Sequence, residues 1–218
     1  MDPILEVEDL RVYYKSIFGD VKSVDGVSFS VNPNEVFGIA GESGCGKSTL
    51  VEGILRLVVP PGYIKTGKIL YKNTDLLSLG QEELRQLRWK ELSYIPQGSM
   101  NSLNPVLRID EQMSDSVTAH TDMRKEEAKE MALSRLKEVG LPEEVARMYP
   151  HELSGGMKQR VVIATAVLLK PSLIIADEPV TALDVVVQKG VLQSIANLRD
   201  RHGITVIFVA HDLAAHAE

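Results

Sequence analysis

The chain of 218 residues carries 24 Lys and Arg against 30 Asp and Glu, a formal charge of −6, with 44% apolar and 25% charged residues. That length and balance suit one large globular domain or a core with one insertion, and they exclude a disordered tail, a collagen-like fibre and a small disulfide scaffold. The acidic excess speaks against a protein that coats nucleic acid, and the single cysteine, Cys45, has no intrachain partner, which points to a reducing compartment.

The first third reads as β-rich. Segments 4–12, 23–31 and 36–40 are β-branched or alternating, broken by Gly26 and by Asn32-Pro33-Asn34. Residues 47–58 carry Leu50, Ile54, Leu57 and Val58 at helical spacing, stopped by Pro60-Pro61-Gly62. Short strands are expected at 67–71 and 92–95, with a charged surface helix at 81–90 between them. Residues 108–153 are rich in helix formers, with an amphipathic helix at 123–139 and a further short one from Leu141-Pro142; this stretch reads as a helical insertion. The β pattern returns at 172–177 and 204–210, around a helix at 184–201 closed by Gly203 as its C-cap. Strands alternating with helices on these lengths predict a parallel, doubly wound sheet. The start, Met1-Asp2-Pro3-Ile4-Leu5-Glu6, lacks the basic and apolar regions of a signal peptide, and the longest apolar run, 161–169, is too short to span a bilayer, so any work at a membrane is expected from a peripheral subunit.

Three clusters carry chemistry. Gly41-Glu42-Ser43-Gly44-Cys45-Gly46-Lys47-Ser48-Thr49 fits G-x-x-x-x-G-K-[ST] and lies between an expected strand and an expected helix, where a phosphate loop has to be. Its glycines let backbone N–H groups turn inward toward phosphate oxygens, and the helix N-terminus adds a favourable dipole. Lys47 would reach the β and γ phosphates, and Ser48 would give its hydroxyl to Mg²⁺. Cys45 reads as a small tolerated side chain, with a thiol nucleophile as the alternative. The second cluster is the apolar strand 172–176 ending in Asp177-Glu178-Pro179. Ligands of open α/β sheets sit at such strand ends, so Asp177 is placed to hold Mg²⁺ through water and Glu178 to polarise an attacking water. The third is Leu153-Ser154-Gly155-Gly156-Met157-Lys158-Gln159-Arg160, in which Ser154 is an N-cap and two glycines bare backbone N–H groups at a helix start. One nucleotide has little use for two separated helix N-termini in one chain; two chains facing head to tail would each close the other's nucleotide. Trp89 reads as helix packing, and the histidines at 120, 151, 202 and 216 lack metal-ligand spacing.

With these residues in order, the chain resembles the nucleotide-binding subunits of ATP-binding cassette (ABC) transporters from Leu5 to Asp212. Residues 153–159 match that family's signature motif, Gln97 its Q-loop glutamine, Thr181-Ala182-Leu183-Asp184 its D-loop and His211 its switch histidine. Tyr14, just after the first expected strand, sits where the family stacks an aromatic ring on adenine, with Tyr13 as the alternative. Ser102-Leu103-Asn104-Pro105, Tyr149-Pro150-His151-Glu152 and Val24-Asp25-Gly26-Val27 are similar to the dipeptide and oligopeptide importer branch, which also holds importers of nickel, opines and oligosaccharides. The resemblance implies an α/β P-loop NTPase core with a predominantly parallel sheet, an N-terminal antiparallel β portion and an inserted helical subdomain. It divides the chain into an ATP-binding core at 1–97, a helical signature subdomain at 98–160 and the rest of the core at 161–218. It implies ATP and Mg²⁺ as ligands, with Ser48, Gln97 and Asp177 on the metal. It also implies catalysis by Glu178, His211 and Lys47, closure of the site by Ser154, Gly155 and Gly156 of a second subunit, and Asp184 tying the two sites together. The expected partners are a second ATP-binding subunit, transmembrane permease subunits and, indirectly, an extracytoplasmic substrate-binding protein, with no nucleic acid; the expected location is the cytoplasmic face of the membrane. Val180 and Ala210 depart from the family's usual Thr or Ser, and the end at Glu218, soon after His211, reads as a truncation. A soluble ABC-type ATPase and a small-molecule kinase are the competing classes; the kinase leaves residues 153–159 and His211 unexplained.

Overall fold

A computed structural model describes residues 2–181 and 183–211. The described residues form two compact units, one of residues 2–85 together with 207–211, the other within Gln86–Val206.

The first unit is built on an antiparallel sheet of order β2-β1-β4-β5, from β1 (Leu5–Ser16), β2 (Gly19–Val31), β4 (Gly62–Tyr71) and β5 (Thr74–Asp75). Leu5 pairs with Val31 on one side and Tyr71 on the other, and Val7 with Phe29 and Ile69. On β1, Leu5, Val7, Leu10 and Val12 are fully buried, the residues that a one-sided strand pattern places inward. A register shift between Val7 and Leu10, with Asp9 at φ 43°, keeps the buried face continuous although Leu10 is out of step with Val7. Helix α1 (Lys47–Ile54) follows β3 (Val36–Ala40) and lies close on β1: a Cβ on Gly53 would stand 2.9 Å from Val12 Cγ2.

Among the boundaries that differ from the sequence expectation, three in the first unit have a tertiary reason. Helix α1 ends at Ile54, four residues early, because Arg56 turns left-handed (φ 53°) and its guanidinium donates to the carbonyls of Leu76 (2.8 Å) and Leu79 (2.6 Å). Strand β4 starts at Gly62, five residues early, because it pairs along nearly the whole of β1. Strand β1 in turn runs on to Ser16 because it pairs with β2 as far as Ser16 against Gly19, so Tyr14 lies inside the strand and not after it.

In the second unit β6 (Leu92–Ile95) and β7 (Leu173–Asp177) pair in parallel, Leu92 against Leu173 through Ile95 against Ala176. Every residue of β7 is buried, as expected of a parallel strand covered on both faces. Strand β8 (Thr205–Ala210) starts beside this sheet, with Thr205 N–H donating to Ser172 O at 2.9 Å, and is likewise buried throughout. Helix α2 is shorter than expected (Gln81–Leu87): Trp89 takes φ 70° and donates its N–H to Leu92 O at 2.7 Å. Trp89 therefore sits in a turn, its ring edge-on to His120 at 5.7 Å, and is not on a helix as its sequence setting suggests.

The helical stretch holds α3 (Ile109–Thr118), α4 (Lys125–Glu138) and α5 (Gly155–Ala166), with single 3₁₀ turns at Glu143–Arg147 and Pro150–Glu152. Ile109, Met113, Val117, Ala128, Ala132, Leu136 and Val145 are wholly buried. Burial of each larger side chain contributes about 1.5–3 kcal/mol. Helix α6 (Val185–His202) is tied to α4 by His202, whose Nε2 lies 2.8 Å from Glu138 Oε2. Burial pushes the Glu138 carboxyl up, but the His202 hydrogen bond and the Arg135 charge outweigh it and leave the group below its ordinary value.

Helix α6 has caps at both ends. Asp184 accepts from Val187 N–H at 3.0 Å, and Gly203 closes the helix at φ 64°, donating its N–H to Arg199 O at 2.8 Å. A side chain at that left-handed position is strained. Gly203→Ala is expected to lower unfolding stability by about 1 kcal/mol in a urea titration; an unchanged midpoint would contradict the cap.

Candidate nucleotide site

In the first unit the chain leaves β3 at Ala40, turns through Gly41–Gly46 and enters α1 at Lys47. Gly46 is the N-cap, at φ 97°, and the Ser23 carbonyl oxygen lies 2.4 Å from where its Cβ would be. Two independent constraints, torsion and space, therefore require glycine there. The turn brings the first N–H groups of α1 to the loop, where a helix N-terminus favours an anion. Lys47 is 8% exposed and folds back over the loop, its Nζ donating to Gly41 O at 2.6 Å and Glu42 O at 2.8 Å, with Cys45 Sγ at 3.8 Å. The Cys45 thiol is exposed.

Thr49, one turn into α1, meets two other hydroxyls. Ser23 Oγ donates to Thr49 Oγ1 at 3.0 Å, and the Tyr14 phenol lies 3.5 Å from the same atom, the far edge of hydrogen-bond range. The two neighbouring tyrosines point to opposite faces of β1. Tyr13 is 6% exposed and donates to Asp25 Oδ1 at 2.6 Å. That bond, with a smaller contribution from Lys22, holds the Asp25 carboxyl below its ordinary value against the opposing effect of desolvation. Tyr14 is half-buried and pairs across the sheet with Gly62; a Cβ on Gly62 would be 2.7 Å from Tyr14 Cε1. The ring of Tyr14 thus rests where only glycine leaves room.

In the second unit the carboxylates stand at the end of β7. Asp177 is 1% exposed, and the Tyr94 phenol lies 3.4 Å from its Oδ2. Glu178 is 6% exposed and left-handed (φ 48°), a conformation that costs a non-glycine residue about 1–3 kcal/mol. Gln97, two residues past β6, donates Nε2 to Glu178 Oε2 at 2.7 Å, and Thr181 Oγ1 donates to the same oxygen at 3.1 Å. The parallel pairing of β6 and β7 brings the two strand ends side by side, so Gln97 and Glu178, 81 residues apart, meet there. Tyr94 and Thr181 were not singled out as neighbours of the carboxylates from sequence; alternation along β6 and the count of three residues from Glu178 are the only signals that point to them.

Ser154 caps α5 by accepting from Met157 N–H at 3.3 Å, and Ser154 and Gly155 are exposed. The start of α5 lies against the start of α6. A Cβ on Gly156 would stand 2.4 Å from Val187 Cγ1, and one on Gly155 3.5 Å from Leu183 Cδ2. Gly156 therefore has a packing role that its reading as an N–H donor did not include. Asp184 is exposed and spends one carboxylate oxygen on its helix cap. His211 is exposed, in a bend directly after β8. Ala182 and Asp212 lie outside the described residues. In the second unit Gln97 and Asp177 offer an amide oxygen and a carboxylate, and in the first unit Ser48 offers a hydroxyl; each is an oxygen donor of the kind Mg²⁺ takes. Among the described residues no helix is long and apolar enough to cross a membrane.

A family model described as ABC transporter matches residues 24–181. The chain is 46% identical over 220 residues to the dipeptide transport ATP-binding protein DppD of Caldanaerobacter subterraneus subsp. tengcongensis, covering all of this chain and 68% of that protein. It is 42% identical over 217 residues to the oligopeptide transport ATP-binding protein OppD of Bacillus subtilis, covering 98% and 61%. The chain thus spans about two thirds of the length of these relatives. Among solved structures, the dimeric post-hydrolysis state of the ATP-binding cassette MJ0796 bound to ADP and Pi matches with a TM-score of 0.85 at 29% identity, over 97% of this chain and 89% of that one.

The α5–α6 contact generates a test. Gly156→Ala should force Val187 or the helix start to move and lower the melting temperature by several degrees, and Val187→Ala in the same chain should restore most of the loss. A Gly156→Ala protein that melts like the wild type would show that the two helix starts are not in contact.

Proposed function

The chain belongs to the ABC transporter family, and on that footing we propose that it is the ATP-binding and ATP-hydrolysing subunit of a peptide importer. The observation that carries this reading is the loop from Gly41 to Thr49. Lys47 is held over it by two neutral carbonyls, partners that a phosphate oxyanion readily replaces because a charged pair is stronger. The names of the relatives support peptides as cargo.

In this proposal the adenine rests on Tyr14 and the phosphates lie along residues 41–49. Tyr14 is favoured over Tyr13 because Tyr13 is buried and committed to Asp25, whereas Tyr14 reaches toward the loop residue Thr49. Ser48 and Gln97 would hold Mg²⁺, with Asp177 behind a water, and the ion would supply positive charge against the phosphates. Glu178 orients the attacking water and takes its proton, and His211 steadies the γ-phosphate end. Most of the rate gain is positioning and charge neutralisation, as in other phosphoryl transfers. Residues 98–160 form the helical signature subdomain, and Ser154, Gly155 and Gly156 of a second cassette complete each site, with Asp184 linking the two. The dimeric cassette among the structural neighbours supports this pairing. Closing and reopening of the pair would drive permease subunits from the cytoplasmic face of the membrane, loaded by an extracytoplasmic substrate-binding protein.

The test is light scattering on Glu178→Gln with and without MgATP. Without the base, turnover should fall roughly a hundred- to ten-thousand-fold, ATP should stay trapped, and the mass should double on its addition. A Glu178→Gln chain that binds ATP and stays a monomer would overturn self-pairing; one that still hydrolyses at the wild-type rate would overturn the role of Glu178.

A further inference from the structure

A serine on β2 touches the phosphate loop at two points. Val12 pairs with Val24 and Tyr13 with Lys22, so Ser23 is the extra residue of a β-bulge between β1 and β2. A bulge leaves one residue out of the ladder and re-aims its polar groups. Here both groups of Ser23 are turned to the loop. Its carbonyl oxygen fills the space a Cβ on Gly46 would need, 2.4 Å away, and its hydroxyl donates to Thr49 Oγ1 at 3.0 Å. Gly46 and Thr49 are three residues apart across the start of α1, on one face of the turn, so one residue can hold both. Val24, directly after the bulge, is 4% exposed and anchors β2 in the core, which fixes the direction Ser23 faces.

Thr49 Oγ1 also lies 3.5 Å from the Tyr14 phenol oxygen. A hydroxyl held by one neighbour presents its remaining donor or lone pair to the next in a defined direction. The Tyr14 ring meanwhile passes close over Gly62, where a Cβ would stand 2.7 Å from Cε1.

We propose that Ser23 is a positioning residue for the nucleotide base: it fixes the Thr49 hydroxyl, and through it the Tyr14 ring, so that a large purine is stacked in register with the phosphate loop. This rests on the assignment of Tyr14 as the adenine platform. The proposal differs from a bracing role in what it does to selectivity. A brace for the loop would affect every nucleoside triphosphate alike, because all carry the same phosphates. A device that aims the stacking ring affects purines more than pyrimidines, because the larger base gains more from the stack.

The experiment measures binding of ATP and of CTP by titration calorimetry on the full chain, for the wild type, Ser23→Ala, Ser23→Thr and Tyr14→Ala, with ATP turnover alongside. Ser23→Ala should weaken ATP about fivefold and CTP less than twofold, and the loss in turnover should fall on KM rather than kcat. Ser23→Thr, which keeps the hydroxyl, should restore the ATP-to-CTP preference. That ratio does not depend on how much of a variant is folded, so partial unfolding cannot imitate the result. Equal weakening of ATP and CTP by Ser23→Ala, or no weakening of either, would overturn the proposal. If Tyr14→Ala binds ATP as tightly as the wild type, the adenine platform itself is wrongly assigned, an outcome separate from a Ser23 failure.

Discussion

The approach of the Ser23 carbonyl to Gly46 is the constraint on which the first unit's site depends. Only a residue without a side chain, able to hold φ near 97°, passes through that point and lets the chain leave β3 and enter α1. Once it does, the helix N-terminus opens onto the loop, Lys47 comes within reach of the loop carbonyls, and Thr49 comes within reach of β1 and β2. The antiparallel sheet is more than a support for this arrangement. It supplies the bulge that presses on the glycine and the strand that carries Tyr14.

The second unit solves a different problem, keeping two carboxylates at one buried strand end. Asp177 and Glu178 are almost fully buried, and a charge in such a place needs hydrogen-bond donors. Gln97 and Thr181 provide them for Glu178, and Tyr94 approaches Asp177. The left-handed backbone at Glu178 is a strained conformation for a non-glycine residue, and it sits between the parallel β6–β7 pair and a turn in which Thr181 N–H donates to Glu178 O at 3.2 Å. In the proposed reaction the Gln97–Glu178 bond is also the link through which the base and the segment after β6 would sense each other.

Much of this was legible in the sequence because it is local. The turn at 41–46 that leads into α1, the acidic end of β7, the Ser154 cap, and α6 with Asp184 and Gly203 at its ends all follow from residues within a few positions of one another. The antiparallel N-terminal portion also came out as expected. What was not legible depends on residues distant in the chain. Arg56 ends α1 because of carbonyls 20 and 23 residues away. Tyr14 lies inside β1 because β2 and β4 both pair with it, through Val21 and Gly62. Gly156 is glycine partly because Val187 is packed on it, and Ser23 matters because of a register shift that no alternation pattern reveals.

The central claim is that residues 41–49 form the nucleotide's phosphate site and that Gly46 is what lets them do so. It is tested most directly by calorimetric titration of the wild type and of Gly46→Ala with MgATP, each checked for folding by circular dichroism. The account predicts saturable one-to-one binding to the wild type and none to a folded Gly46→Ala chain. A wild-type chain that binds no ATP, or a Gly46→Ala chain that binds it equally well, would contradict it.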